Sequence, residues 1–98
     1  MNNAQQIERL ANGCKLNAPT TWMRTTAKTI GDSGRGEILA LATSEWSETD
    51  QIGRDDLAPH GLVDVRGRIT AKGRILARAL CKWRYSESAR ADNPWRHG

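Results

Sequence analysis

Arg74, Arg78 and Lys82 stand at i, i+4 and i+8, so a helix would gather them into one basic stripe, with Arg66, Arg68, Lys72 and Arg84 flanking it in the chain. Cations spaced this way can follow a phosphate backbone. Each phosphate neutralised steepens the salt dependence of binding to duplex DNA by about 0.9 in log–log slope. A solvated helix face has the same spacing, and that reading stands beside the first. A second set, Thr21, Arg24, Thr25 and Lys28, repeats at i, i+3, i+4 and i+7, on the side away from Trp22, Met23, Ala27 and Ile30. Threonine hydroxyls and an arginine fork can read base edges, so this helix is a candidate to enter a major groove. It reads equally as an ordinary amphipathic helix with exposed threonines.

Groups that would do covalent or acid–base chemistry are sparse. His60 and His97 are the only histidines, and neither has Cys, Asp or Glu partners at a metal-ligand spacing. His60, between Pro59 and Gly61, reads as a turn residue. Gly31, Gly34 and Gly36 lack the Lys-Ser/Thr that completes a phosphate-cradling loop, and no triad order or nucleophile elbow can be assembled. The chain is therefore not expected to be an enzyme, and neither a cofactor nor a metal is expected.

The elements that must position the basic residues come from one small domain. The chain has 98 residues, 38% of them apolar, with no Phe and with Trp at 22, 46, 83 and 95. Cys14 and Cys81 are too far apart in sequence for a short disulfide framework, which fits a reducing, cytoplasmic setting. The opening Met-Asn-Asn-Ala-Gln-Gln has neither the positive lead nor the apolar run of a signal peptide, and no segment has the roughly 20 apolar residues of a membrane span, so no membrane partner is expected.

The net charge of +4 conceals three blocks. Residues 1–43 carry five basic and three acidic side chains, net +2; residues 44–65 carry one and six, net −5; residues 66–98 carry nine and two, net +7. A one-sign patch attracts polyanions or oppositely charged protein faces at long range. The acidic block could itself bind a basic surface, although a solvated acidic loop has the same composition.

Periodicity predicts a first helix over Ala4 to Ala11 from Ile7, Leu10, Ala11 and Cys14. A second spans Thr20 to Ile30 and closes at Gly31. A third starts at Asp32-Ser33-Gly34 and carries Ile38, Leu39, Leu41, Ala42 and Trp46 as the central apolar stripe. Residues 47–56 read as an acidic loop with at most a helical turn. Leu62 to Val65 and Arg68 to Thr70 pair as a short β-hairpin about Arg66-Gly67. A last helix runs from Ala71 to Trp83, capped by Thr70, with Ile75, Leu76, Ala79, Leu80 and Trp83 on its apolar face; Gly73 is tolerable in its first turn. Residues 86–98 read as a loosely ordered tail, in which Trp95 is a poor core residue and a candidate docking anchor, with folding back onto the domain as the other reading.

The stretch from Leu57 to Arg74 resembles the wing and final helix of winged helix-turn-helix regulators. Leu57-Ala58-Pro59-His60-Gly61-Leu62-Val63 matches the phrase that ends the family's recognition helix, and Thr70-Ala71-Lys72-Gly73-Arg74 the phrase that opens its last helix; together with the turn they cover about a quarter of the chain. The resemblance implies a left-handed helix exit at Gly61, a hairpin wing and a last helix capped by Thr70. Where the family carries a polar or basic recognition helix, this chain has Glu45, Glu48, Asp50, Asp55 and Asp56, which repel phosphates. The reading surface is then expected elsewhere, or the fold serves another use.

These readings combine into a mainly α (α+β), winged-helix-like domain over residues 1–85, with about four helices and one hairpin near 62–70. The function expected is that of a small DNA-binding repressor or accessory regulator of phage or mobile-element type. Its stripe from Arg66 to Arg84 would hold phosphates of duplex DNA, and Arg24, Thr21, Thr25 and Lys28 would contact bases. Homodimerisation is a further expectation, since a two-fold protein matches a two-fold site. The rival expectation is a phage-type inhibitor such as an anti-CRISPR, which blocks a host defence complex by protein–protein contact.

Overall fold

The computed structural model describes residues 3–85 together with Pro94 and Trp95, and the architecture is mainly helical. Apart from those two residues, the 86–98 tail lies outside the described residues. Four helices follow one another: α1 (Asn3–Gly13), α2 (Thr21–Ala42), α3 (Gln51–Leu57) and α4 (Ala71–Lys82), with a short 3-10 turn at Ala58–His60. α1 and α2 both pack on α4, and α3 leans on α2. Met23 and Ile38 of α2, Leu57 of α3, Leu62 of the connection and Leu76 of α4 are sealed at the centre. No helix is long and apolar enough to cross a membrane among the described residues.

The separate second and third helices expected on either side of Gly31 are both present: the α2 run is two helices that meet at a kink there. Gly31 has φ 71° and ψ −178°, outside the helical region, and the helix resumes after it. Arg35 braces the bend. Its guanidinium donates to the carbonyl of Ala27 before the bend, pairs with Asp32 after it, and lies 4.1 Å from the ring centre of Tyr85 at the end of α4.

The apolar stripe of α2 stops short of Trp46. Thr43 caps the helix and Ser44 takes a left-handed φ of 62°, so the chain turns away and leaves Trp46 45% exposed. The expected acidic loop is in part a helix. Asp50 accepts from the Gly53 N–H at 2.9 Å, and this cap starts α3, whose Leu57 is buried.

Gly61 makes the left-handed exit at φ 74°, after which Leu62 and Val63 are buried. The chain then reverses, but with a single antiparallel bridge, Val63 to Ile69, and no strand among the described residues. The turn falls earlier than Arg66-Gly67. Gly67 N–H donates to Asp64 C=O at 2.9 Å, so Val65 sits in the turn, 91% exposed, rather than in a strand. The side chain of Asp64 offers the backbone a local partner that competes with a ladder.

Thr70 accepts from the Gly73 N–H at 3.1 Å and starts α4. Gly73 is needed for close approach: a β-carbon there would lie 2.3 Å from the Leu62 carbonyl oxygen. Trp95 is a core residue, only 7% exposed. It meets Trp83 and Tyr85 edge-on, with ring centres 6.3 and 5.2 Å away, so of the two readings of Trp95 the fold-back onto the domain holds and the docking anchor does not.

Candidate nucleic-acid interface

The turn at 64–68 is built to hold two arginines outward. The Asp64 carboxylate accepts from the backbone N–H groups of Arg66 at 2.8 Å and Arg68 at 3.0 Å. The N–H of Arg68, then that of Arg66 and the two guanidinium charges, hold the Asp64 carboxyl below its usual range. Gly67, at φ 81°, brings the turn against the segment before α3: a β-carbon there would lie 2.8 Å from the Thr49 carbonyl oxygen and 2.9 Å from Arg54 Cγ. The Thr49 N–H donates to the Gly67 carbonyl at 2.9 Å. With both ends pinned, Arg66 and Arg68 are exposed on a defined turn.

The basic side chains of α4 differ in what they touch, and only Arg78 among them is partly buried. Lys72 and Arg74 are exposed in the first turns. Arg78 is half-buried along Gly13, whose added β-carbon would sit 3.3 Å from Arg78 Nε. Lys82 donates to the carbonyls of Leu16 at 2.7 Å and Cys14 at 3.3 Å and lies 5.2 Å from the ring centre of Trp83. Arg84 is exposed just past the helix, at a left-handed φ of 41°.

Lys72 reaches α2 through Trp22, its ammonium 5.0 Å from the centre of that ring. Thr21, Thr25 and Lys28 are exposed on that helix. Arg24 is turned back along it, donating to the Pro19 carbonyl at 2.6 Å and the Thr21 hydroxyl at 3.3 Å, with its Nε buried. It clamps the entry to α2 rather than reaching outward.

Glu45, Glu48, Asp50, Asp55 and Asp56 are all exposed, as is Ile52 at 70%, and Glu48 and Asp50 line a shallow pocket with Trp46. Beneath them Glu37 keeps one carboxylate oxygen buried without a hydrogen-bond partner, as Thr49 does its hydroxyl and Arg54 its Nε. Burial, and then the charges of Asp50 and Asp56, push the Glu37 carboxyl above the usual glutamate value.

Cys14 and Cys81 are buried free thiols, and burial pushes Cys81 up to about 11, so it stays protonated and a poor nucleophile at neutral pH. Among the described residues no group of three or more His, Cys, Asp and Glu could hold a metal ion.

The sequence reading missed Asp64 and Thr49, which shape and anchor the turn. An Asp two residues before an arginine and three before a glycine is a legible turn signal; the Thr49 contact has no local signature. Compared with protein-family models, curated proteins and solved structures, the chain matches none.

Proposed function

We propose that this protein is a small DNA-binding regulator of winged-helix-like build, a repressor or accessory factor of phage or mobile-element type. The 64–70 reversal serves as its wing. The observation that carries the reading is the pinned turn, which presents Arg66 and Arg68 to solvent in a fixed arrangement. Lys72 and Arg74 extend this cationic surface along α4, and Thr21, Thr25 and Lys28 supply an exposed polar face on α2. Arg78, Lys82 and Arg24 serve the fold in this reading, and the acidic α3 stays off the phosphates.

A fluorescence titration of labelled random-sequence duplex DNA at low and physiological salt tests it. Binding through four side chains gives a log–log salt slope near −3.6, by about 0.9 per phosphate. Arg66→Glu with Arg68→Glu should abolish binding, and Asp55→Ala with Asp56→Ala should leave it intact or tighten it. Absence of binding at low salt overturns the reading.

A second reading, an inhibitor of anti-CRISPR type that blocks a host complex, is favoured by one observation: the exposed Trp46 lines a shallow pocket with Glu48 and Asp50. On that reading Trp46→Ala or acidic substitutions weaken function, and affinity for DNA is negligible.

A further inference from the structure

Between the end of α1 and one side of α4 lies an open cleft of about 210 Å³, lined by Gly13, Cys14, Lys15, Leu16, Ile75 and Arg78. Ile75, Arg78 and Lys82 stand at i, i+3 and i+7 on α4 and so share a side of that helix. Lys82 donates to the carbonyls of Cys14 and Leu16, which fixes the 14–16 wall. The cleft is thereby built by the fold, as small-molecule sites usually are.

Its lining is aliphatic apart from two cations. Cys14 is a buried thiol and Leu16 is half-buried. Ile75, whose period assigns it to the apolar face of α4, is left 41% exposed here. Lys15 and Arg78 supply the charges, and among the described residues neither a carboxylate nor an aromatic ring lines the cleft.

Arg78 sets the chemistry. Its stem runs so close to Gly13 that a β-carbon there would lie 3.4 Å from Arg78 Cδ, and the residue is half-buried. Arg24, Arg35 and Lys82 all direct donors at protein carbonyls. Among the described residues the guanidinium of Arg78 has neither a hydrogen bond nor an ion pair. A partly desolvated guanidinium with its fork unused favours an anion, and a carboxylate matches that fork with two parallel hydrogen bonds.

We propose that this cleft binds a short aliphatic carboxylate, with its chain against Leu16 and Ile75 and its carboxylate on Arg78 and Lys15. The ligand is an anion because both charges of the lining are positive, and aliphatic because the rest of the lining is. It is short because about 210 Å³ falls below the roughly 300–1,000 Å³ of sites for drug-sized ligands. The site does not depend on the nucleic-acid reading, in which Arg78 touches no phosphate.

Titration of hexanoate into the isotope-labelled full chain at constant ionic strength, followed by amide NMR, tests the site. The result expected is saturable shifts centred on residues 13–16 and 75–78, with a Kd on the order of 1 mM, which suits a ligand of this size. Hexan-1-ol and hexylamine keep the chain without the negative charge, and inorganic phosphate keeps the charge without the chain. Each should bind about tenfold more weakly or not at all.

Arg78→Met keeps an apolar stem and removes the fork, and should lower hexanoate affinity about tenfold or more. Ile75→Glu, at a partly exposed position, is the independent variant: it sets a carboxylate at the cleft and should abolish binding. Circular dichroism checks that each variant keeps its helices. Hexanoate that shifts no amide of the cleft, that binds no better than hexan-1-ol, or that binds both variants as it binds wild type overturns the inference. No DNA is present in this experiment, so failure of the nucleic-acid reading shows only in the DNA titration.

Discussion

The ammonium of Lys82 sits 2.7 Å from the carbonyl oxygen of Leu16, tying the far end of α4 to the chain that follows α1. Its second acceptor is the carbonyl of Cys14 at 3.3 Å. A residue that reads in the sequence as the last step of a phosphate-binding stripe is thus occupied with closing the fold. Lys82→Met keeps the apolar stem and removes the donors. It should lower the unfolding free energy by about 1 kcal/mol, the scale of a partly exposed hydrogen bond, in urea denaturation. Its DNA titration should match wild type, whereas Arg66→Glu with Arg68→Glu should leave stability near wild type and remove binding.

Gly73 and Gly36 are both helical glycines, and helix propensity alone favours alanine at each by about 1 kcal/mol. Their surroundings separate them. A β-carbon on Gly73 would meet the Leu62 carbonyl oxygen at 2.3 Å and Ile69 Cγ1 at 2.8 Å, whereas one on Gly36 meets nothing within 4 Å. Gly73→Ala should therefore destabilise by about 1–3 kcal/mol, the usual scale of overpacking. Gly36→Ala should stabilise by up to about 1 kcal/mol. Thermal denaturation of the pair gives shifts of opposite sign.

Trp95 and Trp46 exchange the roles that local sequence suggests for them. Trp46 extends the apolar period of α2, yet Ser44 turns the chain before it and leaves it 45% exposed. Trp95 stands among polar residues, yet it is only 7% exposed and lies against Trp83 and Tyr85. Trp95→Ala should cost about 3–5 kcal/mol, as emptying a buried aromatic site does. Trp46→Ala should cost less than about 1 kcal/mol, in keeping with a surface position. Chemical denaturation of the two variants distinguishes them directly.

What was legible followed from local rules. Thr70 is a cap because a hydroxyl three residues before an N–H can satisfy it, and Gly61 ends its turn because a left-handed φ suits glycine. The break at Gly31 and the helix that follows it were legible, because a positive φ suits glycine; that Arg35 holds the junction partly through Tyr85, distant in sequence, was not. α3 was hidden because its cap, Asp50, looks like one more charge in an acidic run. At the candidate interface, residue types and spacing found the basic side chains but could not sort them. Whether Arg78 and Lys82 face solvent or the loop after α1 depends on how α1 packs on α4, which no local pattern encodes.

Glu37 provides a prediction in which pH is the variable. One of its carboxylate oxygens is buried without a hydrogen-bond partner, and burial together with Asp50 and Asp56 raises the pKa in the folded state. The folded protein therefore holds this proton more tightly than the unfolded chain does. By linkage, stability falls as pH rises through the window between the usual glutamate value and the raised one, and recovers as pH is lowered. Asp64 acts in the opposite sense and at lower pH: its carboxyl is held below the usual value, so its contribution is present above the ordinary aspartate range and lost as pH falls through the folded value. Glu37→Gln keeps the shape and removes the charge. It should raise stability at neutral pH and flatten the rise in stability that the wild type shows as pH is lowered through the raised value toward the ordinary glutamate range. Asp64→Asn should leave that window unchanged. Urea denaturation across the range, with the two variants side by side, reads both effects, and an undiminished slope in Glu37→Gln would show that another carboxylate carries it.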